Sequence, residues 1–224
     1  NRGKIASVFL LRIVNEFKYN CIMKKLINGS KSEKSMRSKK RKRVRSLGKK
    51  AVALYREAVL KFEKGDLGAS LVVAKKLVEV SQNHPEALAF LGGVYLKTGS
   101  ITLGIKYLKE AYLKDLKNLV LKSRLADAYC LSRDYKNAIL LYQELRLIEP
   151  DNSSILINLG VVLAGLGRVG EASKILDQFM SSSELVLRNI MNLALIAKQL
   201  GENEKLIYFL KQAILRDPSQ GEAF

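Results

Sequence analysis

The feature that most limits what this chain can fold into is a register. Gly65, Gly99, Gly167 and Gly201 stand on one 34-residue lattice, and Arg133 fills the remaining place. Leu91, Leu125, Leu159 and Leu193 form a second lattice, each followed by a small residue: Gly92, Ala126, Gly160 and Ala194. Further along the unit come Ser70, Gly104, Ala138, Ala172 and Leu206, then Leu77, Ala111, Leu145, Phe179 and Ala213. Pro150 and Pro218 close two units at the same position. The spacing sets five consecutive units without an insertion, 51–84, 85–118, 119–152, 153–186 and 187–220. A chain held to one period over that length repeats a single supersecondary block.

Each block makes physical sense as two helices. Residues 85–98 put Leu88, Leu91, Tyr95 and Leu96 at helical spacing, and Gly99 then lets the chain turn. Residues 101–114 bring Ile101, Ile105, Leu108 and Ala111 onto a second apolar face. The small residues at 92 and 104 allow the two helices to approach closely. Helices of this length run roughly 21 Å. A lone hairpin cannot bury both faces, so the blocks must stack on one another.

The unit resembles the tetratricopeptide repeat, whose pattern is W-x2-L-G-x2-Y, then A-x3-F, then P. In 85–118 the match runs through Leu88, Leu91, Gly92, Tyr95, Gly104 and Leu108. In 119–152 it is Leu125, Ala126, Tyr129, Ala138, Tyr142 and Pro150, and in 153–186 it is Leu156, Leu159, Gly160, Leu163, Ala172 and Leu176. The last unit has Ile190, Leu193, Ala194, Ala197, Leu210 and Pro218. Unit 51–84 departs from the pattern, with Glu57 and Lys61 in places that are normally apolar or aromatic, which suits an end unit with one side in water. The resemblance implies an all-α, right-handed superhelical solenoid that holds a partner peptide or protein in its concave groove.

In such arrays the first helix of each unit lines that groove. Unit position nominates Glu86, Phe90, Gly93 and Lys97, then Ser123, Arg124 and Asp127, then Ile157, Asn158 and Val161, and finally Arg188, Asn192 and Leu195. The partner-binding candidates are Phe90, Lys97, Arg124, Asp127, Asn158, Arg188 and Asn192. Asn158 and Asn192 are equivalent residues one unit apart, and their amides are able to donate to and accept from an extended peptide backbone. The competing reading is that asparagine simply suits this place in the repeat. The family's clamp for a C-terminal carboxylate is absent, because units 51–84 and 85–118 offer Tyr55 and Val59, then Ala89 and Gly93, where Lys and Asn are needed. Arg124, Asn158, Arg188 and Asn192 retain the chemistry to gather a carboxylate in another geometry.

The formal net charge of +18 resembles a nucleic-acid signal until it is located. Residues 1–50 carry a net of +15, and the repeat region is nearly balanced. Any nucleic acid or anionic surface is therefore expected to engage residues 31–50 only, not the repeats. The run Lys39, Lys40, Arg41, Lys42 and Arg43 suits a nuclear address or a tether, against the alternative of a solvated linker. Residues 28–50 are expected to be disordered, and 5–14, interrupted by Arg12, are too short to span a membrane. Met23 is a plausible start, which would put 1–22 upstream of the natural protein. Cys21 and Cys130 form no closely spaced framework, so the expected setting is reduced and intracellular, cytoplasmic unless the basic tract acts as a nuclear address.

Nothing in the sequence composes a catalytic, cofactor or metal site. His84 is the single histidine, at a unit junction between Asn83 and Pro85, where a helix-joining, solvated role is expected. The expected function is a protein-interaction scaffold without cofactor. Two alternatives stand beside it. One is the substrate-recruiting arm of a larger enzyme, because the basic leader followed by such units resembles the N-terminal arms of bacterial sulfotransferases and glycosyltransferases. The other is a nuclear or nucleic-acid-associated assembly subunit. Gly221, Glu222, Ala223 and Phe224 repeat the start of unit 85–118, so 221–224 read as the beginning of a sixth unit.

Overall fold

The structure is a computed structural model that describes residues 47–180 and 185–217. The basic tract 39–43, Pro218 and the expected sixth unit at 221–224 lie outside the described residues. Ten helices cover them: α1 Lys49–Glu63, α2 Leu67–Val80, α3 Pro85–Lys97, α4 Ile101–Lys114, α5 Leu119–Leu131, α6 Tyr135–Ile148, α7 Ser153–Gly165, α8 Val169–Phe179, α9 Leu187–Leu200 and α10 Asn203–Arg216. No strand occurs among the described residues. Two compact units divide within α5, one running through Ala128 and the other starting at Tyr129.

The lattices become turns, caps and contacts. Gly65, Gly99, Gly167 and Gly201 all take positive φ, between 73° and 82°, at the end of a first helix. Arg133 takes the same left-handed conformation, with φ 61°, although its Cβ makes that costly. After these turns Asp66 and Asp134 cap α2 and α6, accepting from the Ala69 and Asn137 amides at 3.0 and 3.3 Å. At the unit junctions the caps are His84, Asn118 and Asn152, again one period apart. Asn118 Oδ1 accepts from the Leu121 amide and Asn152 Oδ1 from the Ser154 amide.

His84 is therefore more than a solvated joint. It is partly buried, and its Nδ1 accepts the Glu86 amide at 3.2 Å, standing in for the asparagine of the later junctions. Burial lowers its pKa, and the neighbouring Glu86 carboxylate works against that shift.

In the first unit the expected close approach occurs between α3 and α4. A Cβ on Gly92 would stand 3.0 Å from the Gly104 carbonyl oxygen, and one on Gly104 would stand 2.6 Å from Leu96 Cγ. Leu88, Leu91 and Leu108 are fully buried around this contact, and each such side chain contributes about 1.5–3 kcal/mol of transfer free energy. Ser70 holds the equivalent small place in α2, where its buried hydroxyl donates to the Ala58 carbonyl at 2.9 Å. In the second unit Tyr142, Leu176 and Phe209 are wholly enclosed. Lys205 Nζ of α10 pairs with Asp177 of α8 at 2.6 Å and with Glu202, and these bonds raise its pKa.

Candidate functional site

The first helices of the hairpins, the odd-numbered ones, carry the candidate residues. Helix α1 contributes Tyr55 and Phe62, α3 contributes Glu86 and Phe90, and α5 contributes Arg124. The three rings meet in the first unit, and Glu86 and Arg124 act on Tyr55 electrostatically. The Phe90 ring lies 5.3 Å from Tyr55 and 6.1 Å from Phe62, centroid to centroid, in tilted and edge-on geometries that suit ring quadrupoles. Burial pushes the Tyr55 phenol up to about 12, Arg124 pulls it down and Glu86 adds to the rise. The hydroxyl thus stays protonated, a donor with a cation and an anion in its neighbourhood. Tyr55, Glu86, Phe90 and Arg124 are each only partly buried.

The second unit places amides on its first helices instead. Asn192 Nδ2 of α9 donates to Asn158 Oδ1 of α7 at 2.7 Å, and both side chains are buried. Beside them the Asn189 amide and the Ser154 hydroxyl exchange hydrogen bonds at 3.2 and 3.3 Å. Phe90, Arg124, Asn158 and Asn192 occupy one lattice position in four successive units, so one place in the repeat is aromatic, cationic and then twice amide.

Of the residues nominated from sequence, the structure brings Phe90 and Arg124 around Tyr55, and Asn158 onto Asn192. Lys97 sits in the last turn of α3, Asp127 on α5 and Arg188 in the first turn of α9, all partly buried. Sequence reasoning passes over Tyr55 and Phe62 as partners of Phe90, and Asn189 as the partner of Ser154. Tyr55 and Phe90 are 35 residues apart, as are Ser154 and Asn189, so a strict 34-residue comparison misses both pairs. Among the described residues no group of three or more His, Cys, Asp or Glu is placed to hold a metal ion, and no helix is long and apolar enough to cross a membrane.

Comparison with known proteins agrees with this geometry. Residues 131–180 match the family model of the tetratricopeptide repeat. The chain is 27% identical over 121 residues to an N-terminal acetyltransferase A complex subunit-like protein of Schizosaccharomyces pombe, a match over 54% of this chain and 17% of that protein. It is 25% identical over 163 residues to BBSome complex member BBS4 of Bos taurus, over 72% of this chain and 31% of that protein. The chain thus spans less than a third of either relative. Among solved structures, a thermophilic tetratricopeptide-repeat protein of Thermus thermophilus superposes with a TM-score of 0.65 at 18% identity, covering 77% of this chain and 94% of that one. MamA of Desulfovibrio magneticus RS-1 does so with a TM-score of 0.61 at 13% identity, over 78% and 98%. The repeat register and these matches converge: residues 131–180 match the tetratricopeptide repeat, and the ten helices of the described residues are consistent with tandem repeats of that kind, an all-α fold of the helical-repeat solenoid class.

Proposed function

We propose that this protein is an interaction scaffold that binds a partner protein or peptide on the face of its first helices, the groove-lining face in repeats of this kind. Tetratricopeptide repeats generally serve as non-catalytic scaffolds for protein interaction, which supports the coarse reading. The observation that supports the finer one is the contact of the partly buried Tyr55 and Phe90 rings across two successive first helices, with Arg124 of the third, also partly buried, acting electrostatically on the Tyr55 phenol. Aromatic and arginine side chains dominate the energetics of protein interfaces. One relative is described as a complex member and the other as resembling a complex subunit, which favours a partner that is itself an assembly component.

The test is quantitative affinity purification of the full chain from its native cells, followed by mass spectrometry. Phe90→Ala and Arg124→Gln are expected to strip the specific partner at unchanged helicity. Leu147→Gln, on a second helix and 85% exposed, is expected to retain it. Loss with Leu147→Gln and retention with both first-helix variants would move the binding surface to the other face.

A further inference from the structure

The near balance of charge over the repeats, which confines an anionic surface to residues 31–50, conceals an uneven split. Residues 51–128 hold twelve basic and eight acidic side chains, and 129–224 hold ten and eleven. The excess shows on the second helices of the first unit. Lys106, Lys109 and Leu113 follow at i, i+3 and i+7 on the side of α4 opposite the buried Gly104, Leu108 and Ala111. Val72 and Lys75 hold the equivalent exposed side of α2, opposite Ser70, Ala74 and Leu77. A ring pair links the two helices: Lys75 Nζ lies 6.0 Å from the Tyr95 centroid, Lys106 Nζ lies 6.0 Å from that of Tyr107, and the rings stack at 5.4 Å with 3° between their planes. Lys76, Lys114 and Lys117 are exposed as well, so six exposed lysines stand against Glu79, Glu110 and Asp115, the last bonded to Asn118 Nδ2 at 2.9 Å.

The same stretch leaves aliphatic side chains in water. Leu113, Leu116 and Val120, within eight residues around the turn from α4 to α5, are 62%, 57% and 53% exposed, with Lys114 and Lys117 between them. Residues 67–120 contain no arginine. Protein interfaces are enriched in arginine and aromatic side chains and depleted in lysine. Single-stranded nucleic acid stacks its bases on open rings, whereas Tyr95 and Tyr107 stack on each other. Aliphatic side chains set among lysines match the boundary of an anionic bilayer, where apolar groups enter and the ammonium groups remain with the headgroups. We infer that this face docks on an anionic lipid surface, with Leu113, Leu116 and Val120 entering the headgroup boundary and the lysines of α2 and α4 pairing with headgroup anions. The basic run 39–43, N-terminal to the same unit, supplies a second cationic signal, and stable surface binding generally takes two. The inference is independent of the first-helix binding surface.

Cosedimentation of the full chain with phosphatidylcholine vesicles, with and without phosphatidylserine, measures this. Binding is expected only with phosphatidylserine present, and is expected to weaken with added salt. A lysine close to such a surface contributes about fivefold in partition, so Lys106→Gln, Lys109→Gln and Lys117→Gln together are expected to lower it by about tenfold or more. The charge-matched triple Lys136→Gln, Arg146→Gln and Lys174→Gln, on second helices of the second unit, is expected to lower it far less. Leu113→Gln with Leu116→Gln is expected to lower it about tenfold at unchanged charge. Phe90→Ala is expected to leave vesicle binding intact, so the first-helix reading stands or falls separately. No binding to phosphatidylserine vesicles, equal losses with the two cation triples, or undiminished binding by the leucine double variant would each overturn the inference. Lysine-dependent, leucine-independent binding that mixed-sequence single-stranded DNA competes away would overturn it in favour of nucleic acid.

Discussion

Equivalent places on the first helices are filled differently in the two units of this molecule. In the first, the contact between α1 and α3 is made by rings, Tyr55 and Phe62 against Phe90. In the second, the contact between α7 and α9 is made by amides, Asn158 to Asn192 and Ser154 to Asn189. Rings tolerate some sliding and remain partly open. A buried amide pair tolerates little, because each donor and acceptor removed from water needs its partner. The same repeat thus presents an adaptable surface in one unit and an internally satisfied, buried one in the other. For that reason the aromatic region is the better candidate for ligand contact, although the asparagines are the more suggestive pair in sequence.

The contrast breaks most visibly at the amide pair. Asn192→Leu removes the amide donor that Asn158 Oδ1 accepts in a buried setting and is expected to cost about 1–3 kcal/mol. The double change Asn158→Leu with Asn192→Leu is expected to cost less than the sum of the two single changes, because both lose the same hydrogen bond. The corresponding aromatic cycle, Tyr55→Leu with Phe90→Leu, is expected to show a coupling of about 0.5–1.5 kcal/mol. Urea denaturation of the wild type and of the single and double variants measures both cycles. If the asparagine double lost as much as the sum of its singles, the pair would not be the structural element described here.

A second difference lies in what the helix-contact glycines face. Gly92 is opposed by backbone, the Gly104 carbonyl at 3.0 Å and the Leu108 nitrogen at 3.2 Å from a notional Cβ. Gly160 is opposed by side-chain carbons, Ile196 Cδ1 at 2.8 Å and Ile175 Cγ2 at 3.2 Å. Backbone cannot yield without moving a helix, whereas an isoleucine tip is able to rotate. Alanine also gains about 0.5–1 kcal/mol in any helix interior. Gly92→Ala is therefore expected to destabilise by about 1–2 kcal/mol after that gain, and Gly160→Ala to change stability by under about 0.5 kcal/mol. Equal losses in thermal melts would mean that the two hairpins pack alike.

Much of this was legible before the structure. The turn glycines, the small places at 92 and 104 and the pairing of helices all follow from a period that only stacked hairpins satisfy. What stayed hidden has a geometric cause. Facing residues on successive first helices are offset by 34 in one pair, 158 with 192, but by 35 in two others, 55 with 90 and 154 with 189. A lattice drawn at one period therefore finds equivalent residues and misses touching ones. It shows Asn158 and Asn192 as matching amides, but not that each is the other's partner. His84 is visible as a junction residue. Its capping role emerges only when 84, 118 and 152 are set side by side as caps.

Arg133 offers a gain instead of a loss. It alone occupies a turn place held elsewhere by glycine, and at φ 61° an L side chain pays about 1–2 kcal/mol for the left-handed backbone. Arg133→Gly removes that strain but adds chain entropy to the unfolded state, so the expected net stabilisation is about 0.5–1 kcal/mol. Gly99→Arg, the reverse exchange in the first unit, is expected to cost a similar amount. A melting temperature unchanged by Arg133→Gly would mean that the arginine side chain makes a compensating contact in the folded state.

The smallest effect is also the most specific to conditions. The α3 cap requires a neutral Nδ1 on His84, since a protonated ring nitrogen has no lone pair to accept the Glu86 amide. The folded-state pKa is depressed, chiefly by burial, so folding favours the neutral ring. That contribution is complete above the ordinary histidine value near 6.5 and declines as the pH falls below it. Glu86 opposes the shift, which keeps the effect modest. Replacing His84 with Asn, the residue that caps α5 and α7, removes the titrating group and keeps an acceptor. Wild type is therefore expected to lose more thermal stability than His84→Asn between about pH 7.5 and pH 5.5, with the difference vanishing above neutrality. Hydrogen exchange at the Glu86 amide would locate the loss at this junction, and equal pH slopes for the two proteins would show that the cap does not depend on the charge of the ring.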